Sequence, residues 1–368
     1  MKLFGRKQSL GWVPFEPYSA KMTLLKECIE MKRVILIGSL LFLLAGCTTT
    51  VQGTVPVQEA ATAVIPSMGP TENSNPWKQL SDMLTPRSEM HAVELNGLIY
   101  VFGGFGPVPG GAANGKDSVA TLEAYDPKTD QWTSLAPAPE ARDHSMMAAF
   151  QGRIYVFGGY AKDWKVFSNV WTYDPAANQW TILNPMPASR TAGAAVTLGD
   201  HIYLIGGITS QAHVILPTWR YDPANDTWTD AAPLLQPREH VDAVALDGLI
   251  YALSGRWIET LNTVEIYDPV KDQWTPGVPM KDKRAGFGAT VMNGKIYVAG
   301  GELIEIGKTV KSAEEFDPAR QTWSSLPDLP GGLHGVPLIG FENVLYIIGG
   351  SARAADMINW GRVFAYQP

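Results

Sequence analysis

The side chains best suited to chemistry in this sequence are one glutamate and two histidines that share a position. Each lies two residues after an arginine: Glu89, His144 and His240. A carboxylate and an imidazole exchange protons readily near neutral pH, and both bind polar ligands. These three residues are therefore candidate ligand contacts, and the alternative for each histidine is a hydrogen-bonded structural role.

Three tryptophans and an arginine form a second set of candidate ligand contacts. They lie in segments of variable length and composition, at Trp164, Arg256, Trp257 and Trp360. Exposed tryptophans stack on sugar rings or anchor protein partners. The alternative is that they cover the surface of the fold.

Motifs for metal binding or nucleophilic catalysis are absent from the sequence. The six histidines are dispersed, with no two at ligand spacing, so only convergence in space could bring His144 and His240 together. The sequence has neither a Ser-His-Asp set nor a Gly-x-Ser-x-Gly elbow. Glu302 and Glu305 are expected to be solvated loop carboxylates. We therefore expect no catalytic residue, no metal and no cofactor.

A repeat of 46 to 55 residues must position these candidates. Its clearest mark is a series of six tryptophans, Trp77, Trp132, Trp180, Trp228, Trp274 and Trp323. Five Tyr-Asp-Pro or Phe-Asp-Pro triplets each precede one of them, and five diglycines each end an apolar run. Such a period indicates a repeat architecture, in which these tryptophans are structural.

Each repeat predicts four short antiparallel strands. In the second repeat, an apolar run at 145–150 and a return strand at 153–157 flank a Gln-Gly hairpin turn. A variable loop leads to a third strand at 170–173, which Asp-Pro ends because proline cannot continue a ladder. Trp180 begins the fourth strand. Four such strands make one blade of a propeller.

These features together resemble the kelch repeat, over about residues 77–366. The resemblance implies an all-β, six-bladed β-propeller. Ser254-Gly255 departs from the diglycine, and the last repeat ends at Tyr366 without a tryptophan. We expect residues 76–83 to supply the missing outer strand and close the ring, the alternative being an open last blade. The absence of cysteine from the repeats excludes the Tyr–Cys copper chemistry of kelch-type oxidases.

The resemblance also suggests where a ligand would bind. Strand direction places the loops before each first strand on the same face as the variable loops, and in kelch proteins this neighbourhood borders the central pocket. We predict the ligand site on this loop-rich face. The recurring arginines are interpreted as inter-blade hydrogen-bond donors, or alternatively as a guanidinium ring at the channel mouth.

The first 75 residues are expected to contain a targeting signal followed by a flexible tether. Residues 1–30 are an atypical extension or a misassigned start, and 31–46 resemble a lipoprotein signal peptide that ends in Leu-Ala-Gly before Cys47. We expect a diacylglycerol on Cys47, a flexible tether over 47–75 and a propeller over 76–368. The expected location is the bacterial cell envelope, facing the periplasm or the exterior. The alternative is an uncleaved short anchor.

These observations predict a lipid-anchored, non-catalytic binding module for a protein or glycan. A net charge of −7 gives no basic surface for nucleic acid, and we expect a monomer that reaches the membrane only through its lipid. The alternative is a carbohydrate-active enzyme like the kelch-type sialic acid epimerases or mutarotases. A carboxylate and a histidine that converge in a closed pocket would favour the enzyme, and a shallow aromatic surface would favour binding.

Overall fold

The computed structural model describes residues 75–107, 117–210, 214–355 and 360–368. Within these ranges, six four-stranded antiparallel sheets form the blades of a propeller, as the sequence predicted. The expected signal peptide, Cys47 and tether lie outside the described residues. None of the helices in the described ranges combines the length and apolar character needed to cross a bilayer.

The two inner strands of every blade form a tight hairpin. The innermost strands are His91–Leu95, Met146–Phe150, Ala194–Leu198, Asp242–Leu246, Gly288–Met292 and Leu338–Phe341. The second strands are Leu98–Phe102, Arg153–Phe157, His201–Ile205, Leu249–Leu253, Lys295–Ala299 and Val344–Ile348. Both hairpin residues take positive φ in blade 1, where Asn96 has φ 55° and Gly97 has φ 83°, which is the geometry that a two-residue turn requires.

The two outer strands complete each blade. The third strands are Leu122–Asp126, Val170–Asp174, Thr218–Asp222, Val264–Asp268, Ala313–Asp317 and Val363–Tyr366. The fourth strands of blades 1 to 5 are Gln131–Ser134, Gln179–Leu183, Thr227–Ala231, Gln273–Pro276 and Thr322–Leu326. In each of these five blades the fourth strand begins one residue before the repeat tryptophan.

The last blade is closed by the beginning of the propeller. Lys78–Gln79 pairs antiparallel with Val363–Tyr366, with Lys78 opposite Ala365. The expected ring closure is therefore confirmed, and the outer edge of the last sheet is occupied by an N-terminal strand.

The repeat tryptophans hold neighbouring blades together. Five of the six indoles donate a hydrogen bond from Nε1 to a backbone carbonyl of the preceding blade or of the segment that leaves it, at 2.8 to 3.1 Å. Aromatic side chains also fill the space between sheets; Phe102 of blade 1 meets Trp171 of blade 2 edge to face, with centroids 6.4 Å apart. These contacts support the structural role predicted for the series.

The recurring arginines are structural, but their guanidinium groups do not join blades. They are almost completely buried, and Arg87 donates within its own blade to the carbonyl oxygens of Gly103 and Thr121, at 3.1 and 3.0 Å. It is the arginine main chain that links blades, because the carbonyl of Arg142 accepts from Gly104 of the preceding blade at 2.8 Å. The alternative of a guanidinium ring at the channel mouth is wrong, since burial keeps these groups away from the channel.

The second glycine of each diglycine lets two segments of the same blade approach closely. A Cβ at Gly104 would lie 2.4 Å from the carbonyl oxygen of Ser88, so no larger residue fits. In blade 4 the first glycine is replaced by Ser254, whose φ is 49°. Its hydroxyl donates to the carbonyl of Arg284, in the segment that enters blade 5, at 2.7 Å, which offsets the strain of the left-handed backbone.

Short ribbons extend the loop-rich face beyond three of the blades. They pair Phe105–Gly106 with Asp117–Ser118, Tyr160–Ala161 with Lys165–Val166, and Glu302–Leu303 with Lys308–Thr309. Single turns of 3-10 helix lie in two of them, at Lys162–Trp164 and Ile304–Ile306. The loop segments 108–116 and 356–359 lie outside the described residues.

Candidate functional site

A ring of backbone hydrogen bonds encircles one mouth of the central channel. One residue of each blade donates its N–H to the carbonyl of its predecessor, at 2.7 to 3.0 Å, and the first blade donates to the last. The ring consists of Glu89, His144, Ala192, His240, Gly286 and Gly335. All six have φ between 48° and 62°, in the left-handed region.

The local sequence explains why the chain turns at these positions. The arginine two residues earlier, which is Leu333 in blade 6, is buried inside the blade. The residue after it forms a single β-bridge to the variable loop, as Asp143 does to Tyr160 and Glu239 to Arg256. The next residue must then reverse direction into the innermost strand. Glycine adopts this conformation freely, whereas any other residue costs about 1 kcal/mol.

Three of the ring positions carry the predicted ligand contacts despite that cost. Glu89, His144 and His240 have φ of 53°, 49° and 48°, where Gly286 and Gly335 show that glycine serves the backbone equally well. Strained residues of this kind concentrate at functional sites. We therefore interpret the three side chains as present for their chemistry rather than for the fold.

The three side chains converge over Ala192, whose small side chain separates the two histidines in the ring. The Nε2 of His144 lies 3.1 Å from the Nε2 of His240 and 3.2 Å from an Oε2 of Glu89. The Nδ1 of His144 contacts a carboxylate oxygen of Asp143 at 2.6 Å, and the Nδ1 of His240 contacts Glu239. Sequence spacing alone did not indicate this convergence.

A second group of charges surrounds the first. The Nη1 of Arg256 lies 2.7 Å from an oxygen of Glu302, its Nε contacts Glu239, and its Nη2 lies 3.3 Å from both ring nitrogens of His240. His334 places Nδ1 at 3.0 Å from the Oε1 of Glu89. The expectation that Glu302 is solvated is wrong, because its side chain is almost fully buried by these contacts.

Burial and mutual attraction determine the protonation of the cluster. Burial raises the pKa of Glu89, but the neighbouring His144 and His334 outweigh it, so that this pKa lies below its ordinary value. For His334, burial lowers the pKa, whereas Glu89 and Glu302 raise it more strongly, to about 9. The pKa of His144 is raised likewise, against burial, by Glu89 and Asp143.

The channel behind the mouth forms a cavity of about 350 Å³ between the innermost strands. This volume is at the lower end of the range for small-molecule sites. Glu89, His144 and His240 line it at the mouth, and Asp242 lines it further along the innermost strand of blade 4. A polar ligand of modest size would therefore meet carboxylate and imidazole groups together.

Aromatic side chains border the cluster on one side. The rings of Phe105 and Tyr160 meet His144 edge to face, with centroids 5.7 and 5.6 Å away. Trp164 packs on both, at 5.9 and 5.3 Å, while 58% of its surface stays exposed. This tryptophan is the one among the three candidates that the described contacts connect to the mouth.

The described contacts do not connect the other two tryptophans to the mouth. Trp257 is partly exposed in the loop that follows Arg256, and it is absent from the channel lining. Trp360 is 9% exposed, with the Arg362 guanidinium 4.8 Å from its ring. For Trp360 the structure favours the alternative interpretation, in which the ring covers the fold.

Sequence reasoning missed several members of the cluster. Asp143, Glu239 and His334 each directly follow a recurring arginine or its leucine replacement, and their variation among blades is the signal that would have found them. Glu302 carries no such signal, because it lies one residue after a diglycine in a variable loop.

Comparison with known proteins identifies the family. The sequence profile of the KLHDC2/KLHL20/DRC7 Kelch-repeats domain matches residues 34–234 and 136–301, which together are more than half of the chain, and the Kelch motif matches residues 283–330. The chain is a kelch-repeat protein. The kelch resemblance seen in the sequence is thereby confirmed.

Individual relatives share one part of this kelch-repeat protein. It is 36% identical over 85 residues to an F-box/kelch-repeat protein of Arabidopsis thaliana, and 37% identical over 82 residues to the Influenza virus NS1A-binding protein homolog of Mus musculus. These matches cover 23% and 22% of the chain, but only 21% and 12% of the two relatives. The similarity therefore extends to the repeats and not to the whole of either relative.

A solved structure shows the same fold over a longer stretch. The structure of YjhT superposes with a TM-score of 0.65 and 18% sequence identity, over 77% of this kelch-repeat protein and 96% of YjhT. At this identity the likeness concerns the fold alone.

Proposed function

We propose that this kelch-repeat protein is a binding module that docks a protein partner on its loop-rich face. The observation that carries the proposal is the distribution of exposed apolar side chains. Among the described residues, six of the eight large apolar side chains that are exposed lie on loops of this face: Leu84, Trp164, Leu235, Ile258, Ile304 and Ile306. Among the described residues on the turns of the opposite face, Val270 is the one large apolar side chain that is exposed.

The exposed apolar residues lie close to the charged mouth in the chain. Ile258 follows Arg256 by two residues and is 68% exposed, and Ile306 follows Glu302 by four and is 66% exposed. Exposed apolar groups bordered by polar residues are typical of surfaces that bind proteins. The mouse relative is named for binding a protein, which supports a partner of this class.

Site-specific photocrosslinking tests this proposal. A photoreactive residue is placed at 258 or 306 on the loop-rich face and, as a matched control, at Val270, which is 94% exposed on the other face. We expect a probe at position 258 or 306 to give a discrete crosslinked protein, and a probe at position 270 to give none. The product from position 258 should be lost when Ile306→Lys is introduced as well. The same products from all three positions would contradict docking on this face.

The location of the protein is a separate proposal. We propose that Cys47 carries the lipid and anchors the propeller in the bacterial cell envelope, because a charged start, a short apolar run and small residues precede this cysteine. Cys47→Ala is expected to abolish labelling with a radioactive fatty acid and to release the protein from the membrane fraction. Unchanged labelling in this variant would contradict the anchor.

One observation favours a second candidate, a carbohydrate-active enzyme of the epimerase or mutarotase type. A carboxylate and imidazoles converge at the mouth of a channel of about 350 Å³, which suits general acid–base chemistry on a small sugar. Anomer exchange of reducing sugars, sialic acid included, can be followed by NMR. An enzyme would accelerate exchange in the parent and in His201→Ala, but not in Glu89→Gln. If the parent did not accelerate exchange, the enzyme hypothesis would be excluded and the binding module would be the remaining proposal.

A further inference from the structure

We propose that Glu89, His144 and His240 form a binding site for a divalent transition metal, of which Zn²⁺ is the best-matched member. Their potential ligand atoms all lie within 4.8 Å of one another. The three residues come from blades 1, 2 and 4, so the site exists only in the closed ring. This inference is independent of partner docking, which involves the exposed apolar loops.

The spacing of the ligand atoms fits one shared ion. Two ligands bound to zinc at ordinary bond lengths and a tetrahedral angle lie ~3.4 Å apart. The Nε2 atoms of His144 and His240 are 3.1 Å apart, and Oε2 of Glu89 is 3.2 Å from the Nε2 of His144. Small rotations of the side chains would place all three atoms at bonding distance from an ion between them.

The hydrogen bonds on the far side of both imidazoles select the required tautomer. The Nδ1 of His144 faces Asp143 at 2.6 Å, and the Nδ1 of His240 faces Glu239. Each Nδ1 therefore carries the proton, which leaves the lone pair of a neutral ring on Nε2. A carboxylate behind a ligating histidine is the usual outer-shell arrangement of zinc sites.

This tautomer makes the contact between the two histidines unfavourable without a cation. Two nitrogen lone pairs that face each other across 3.1 Å repel, unless a proton or a metal ion lies between them. A proton can bridge only two of the three groups at a time. A metal ion satisfies both nitrogens and the Glu89 oxygen together.

The charges around the cluster favour a divalent cation. Among the described residues, four carboxylates lie there, Glu89, Asp143, Glu239 and Glu302, against two positive side chains, the Arg256 guanidinium and the His334 imidazole, whose pKa of about 9 keeps it protonated at neutral pH. The guanidinium of Arg256 is close to His240 but contacts two of these carboxylates, so it does not balance the rest. His334 contacts Oε1 of Glu89 at 3.0 Å, which leaves Oε2 to face His144.

The backbone ring holds the ligands rigidly in place. All three ligand residues take part in the inter-blade hydrogen bonds, and Gly335 makes room for the carboxylate, since a Cβ there would lie 2.8 Å from Cδ of Glu89. Three protein ligands leave a fourth coordination position for water or an oxygen ligand. That arrangement is typical of zinc sites that keep one coordination position open, whereas structural zinc sites have four protein ligands.

Zinc binding by the full chain, purified in detergent and stripped with a chelator, tests the site. We expect one equivalent of Zn²⁺ by equilibrium dialysis, and tetrahedral Co²⁺ absorption when Co²⁺ is substituted. Because glycine occupies the same ring position in two blades, His144→Gly and His240→Gly preserve the backbone while removing a ligand. Each is expected to weaken Zn²⁺ binding by more than about 100-fold.

Two controls make the result decisive. His201→Ala changes a partly exposed histidine of a second strand and is expected to bind Zn²⁺ like the parent. Asp143→Asn leaves all three ligands intact and is expected to weaken binding by about 10- to 100-fold through the tautomer of His144. Thermal unfolding confirms that each variant is folded. The proposal is overturned if the folded parent binds no stoichiometric Zn²⁺, or if the two glycine variants bind it as the parent does.

Discussion

The indole Nε1 of Trp77 donates a hydrogen bond to the carbonyl oxygen of Pro327 at 3.0 Å, although 250 residues separate them. This bond joins the start of the propeller to the end of blade 5. The Trp77 ring is 4% exposed and packs 5.1 Å from Tyr366, so one residue links the closing strand to the last blade and its neighbour.

Loss of this side chain is expected to weaken ring closure. Trp77→Ala should lower the free energy of unfolding by about 3–5 kcal/mol, the usual cost of removing a buried aromatic side chain. Chemical denaturation measures the loss, with Trp164→Ala as the control, because that ring is 58% exposed. Equal stability of the two variants would show that the N-terminal strand does not hold the ring.

The buried arginines give a second prediction, because the same buried position is occupied in three different ways among the blades. Arg87 pairs with Glu123 at 2.9 Å, Arg190 instead stacks on Trp219 at 3.8 Å, and blade 6 has Leu333 and Phe364 at the two equivalent positions. A buried charge without its partner is costly, whereas an apolar pair of similar volume is not.

We therefore expect Arg87→Leu to cost about 3–5 kcal/mol by leaving the Glu123 carboxylate unpaired. The double variant Arg87→Leu/Glu123→Phe, which copies blade 6, should recover most of that loss. Arg153→Ala provides the control, since its pair with Asp174 is solvent-exposed and should contribute at most about 1 kcal/mol. A double variant no more stable than Arg87→Leu would show that the carboxylate is not the source of the loss.

The ring of residues in the left-handed backbone conformation gives a third prediction, at Ala192, where φ is 53°. The free energy of unfolding of Ala192→Gly should lie within about 1 kcal/mol of the parent value. The reason is that relief of backbone strain offsets the lost methyl burial and the greater freedom of the unfolded chain. Ala192→Val should cost more than about 2 kcal/mol, because a β-branched residue fits this conformation poorly.

Thermal and chemical unfolding distinguish these variants. Ala195→Val is the control, since Ala195 lies in a strand that favours β-branched residues, and its effect should be small. If valine were tolerated equally at 192 and 195, the left-handed backbone would not be imposing the cost.

Most of the fold was predictable because the turns of each repeat are determined by residues that lie close together in the sequence. The Asn96-Gly97 turn and the Asp126-Pro127 turn act within a few residues, and repetition separates them from chance. The same repetition marked Glu89, His144 and His240, since a residue that varies among blades is not required by the blade.

The meeting of these side chains was not predictable, for a physical reason. Whether His144 reaches His240 depends on the ring radius, on the small side chain of Ala192 between them and on the direction imposed by the left-handed backbone. These quantities come from the closed assembly of six blades, and no single repeat encodes them. Glu302 was misjudged for the same reason, because its burial arises from Arg256 of a neighbouring blade.

Asp242 gives the last prediction, which concerns pH. Its carboxylate lines the channel and accepts hydrogen bonds from the N–H groups of Ala243 and Ala289, at 2.8 and 2.7 Å. Burial raises its pKa from 3.8 to about 7, more than these two bonds lower it. Between these two values the folded state holds a proton that the unfolded state has released, so the contribution of Asp242 to stability falls as pH rises from about 4 to about 7.

Asp242→Asn should remove this pH-dependent loss, because the amide stays neutral. The free energy of unfolding of the variant should therefore rise relative to that of the parent across the same interval, and the difference should be constant below pH 3 and above pH 8. Urea denaturation at closely spaced pH values measures it, with all other titrating groups common to both proteins. Parallel curves for parent and variant would show that Asp242 is ionised in the folded channel at its ordinary pKa.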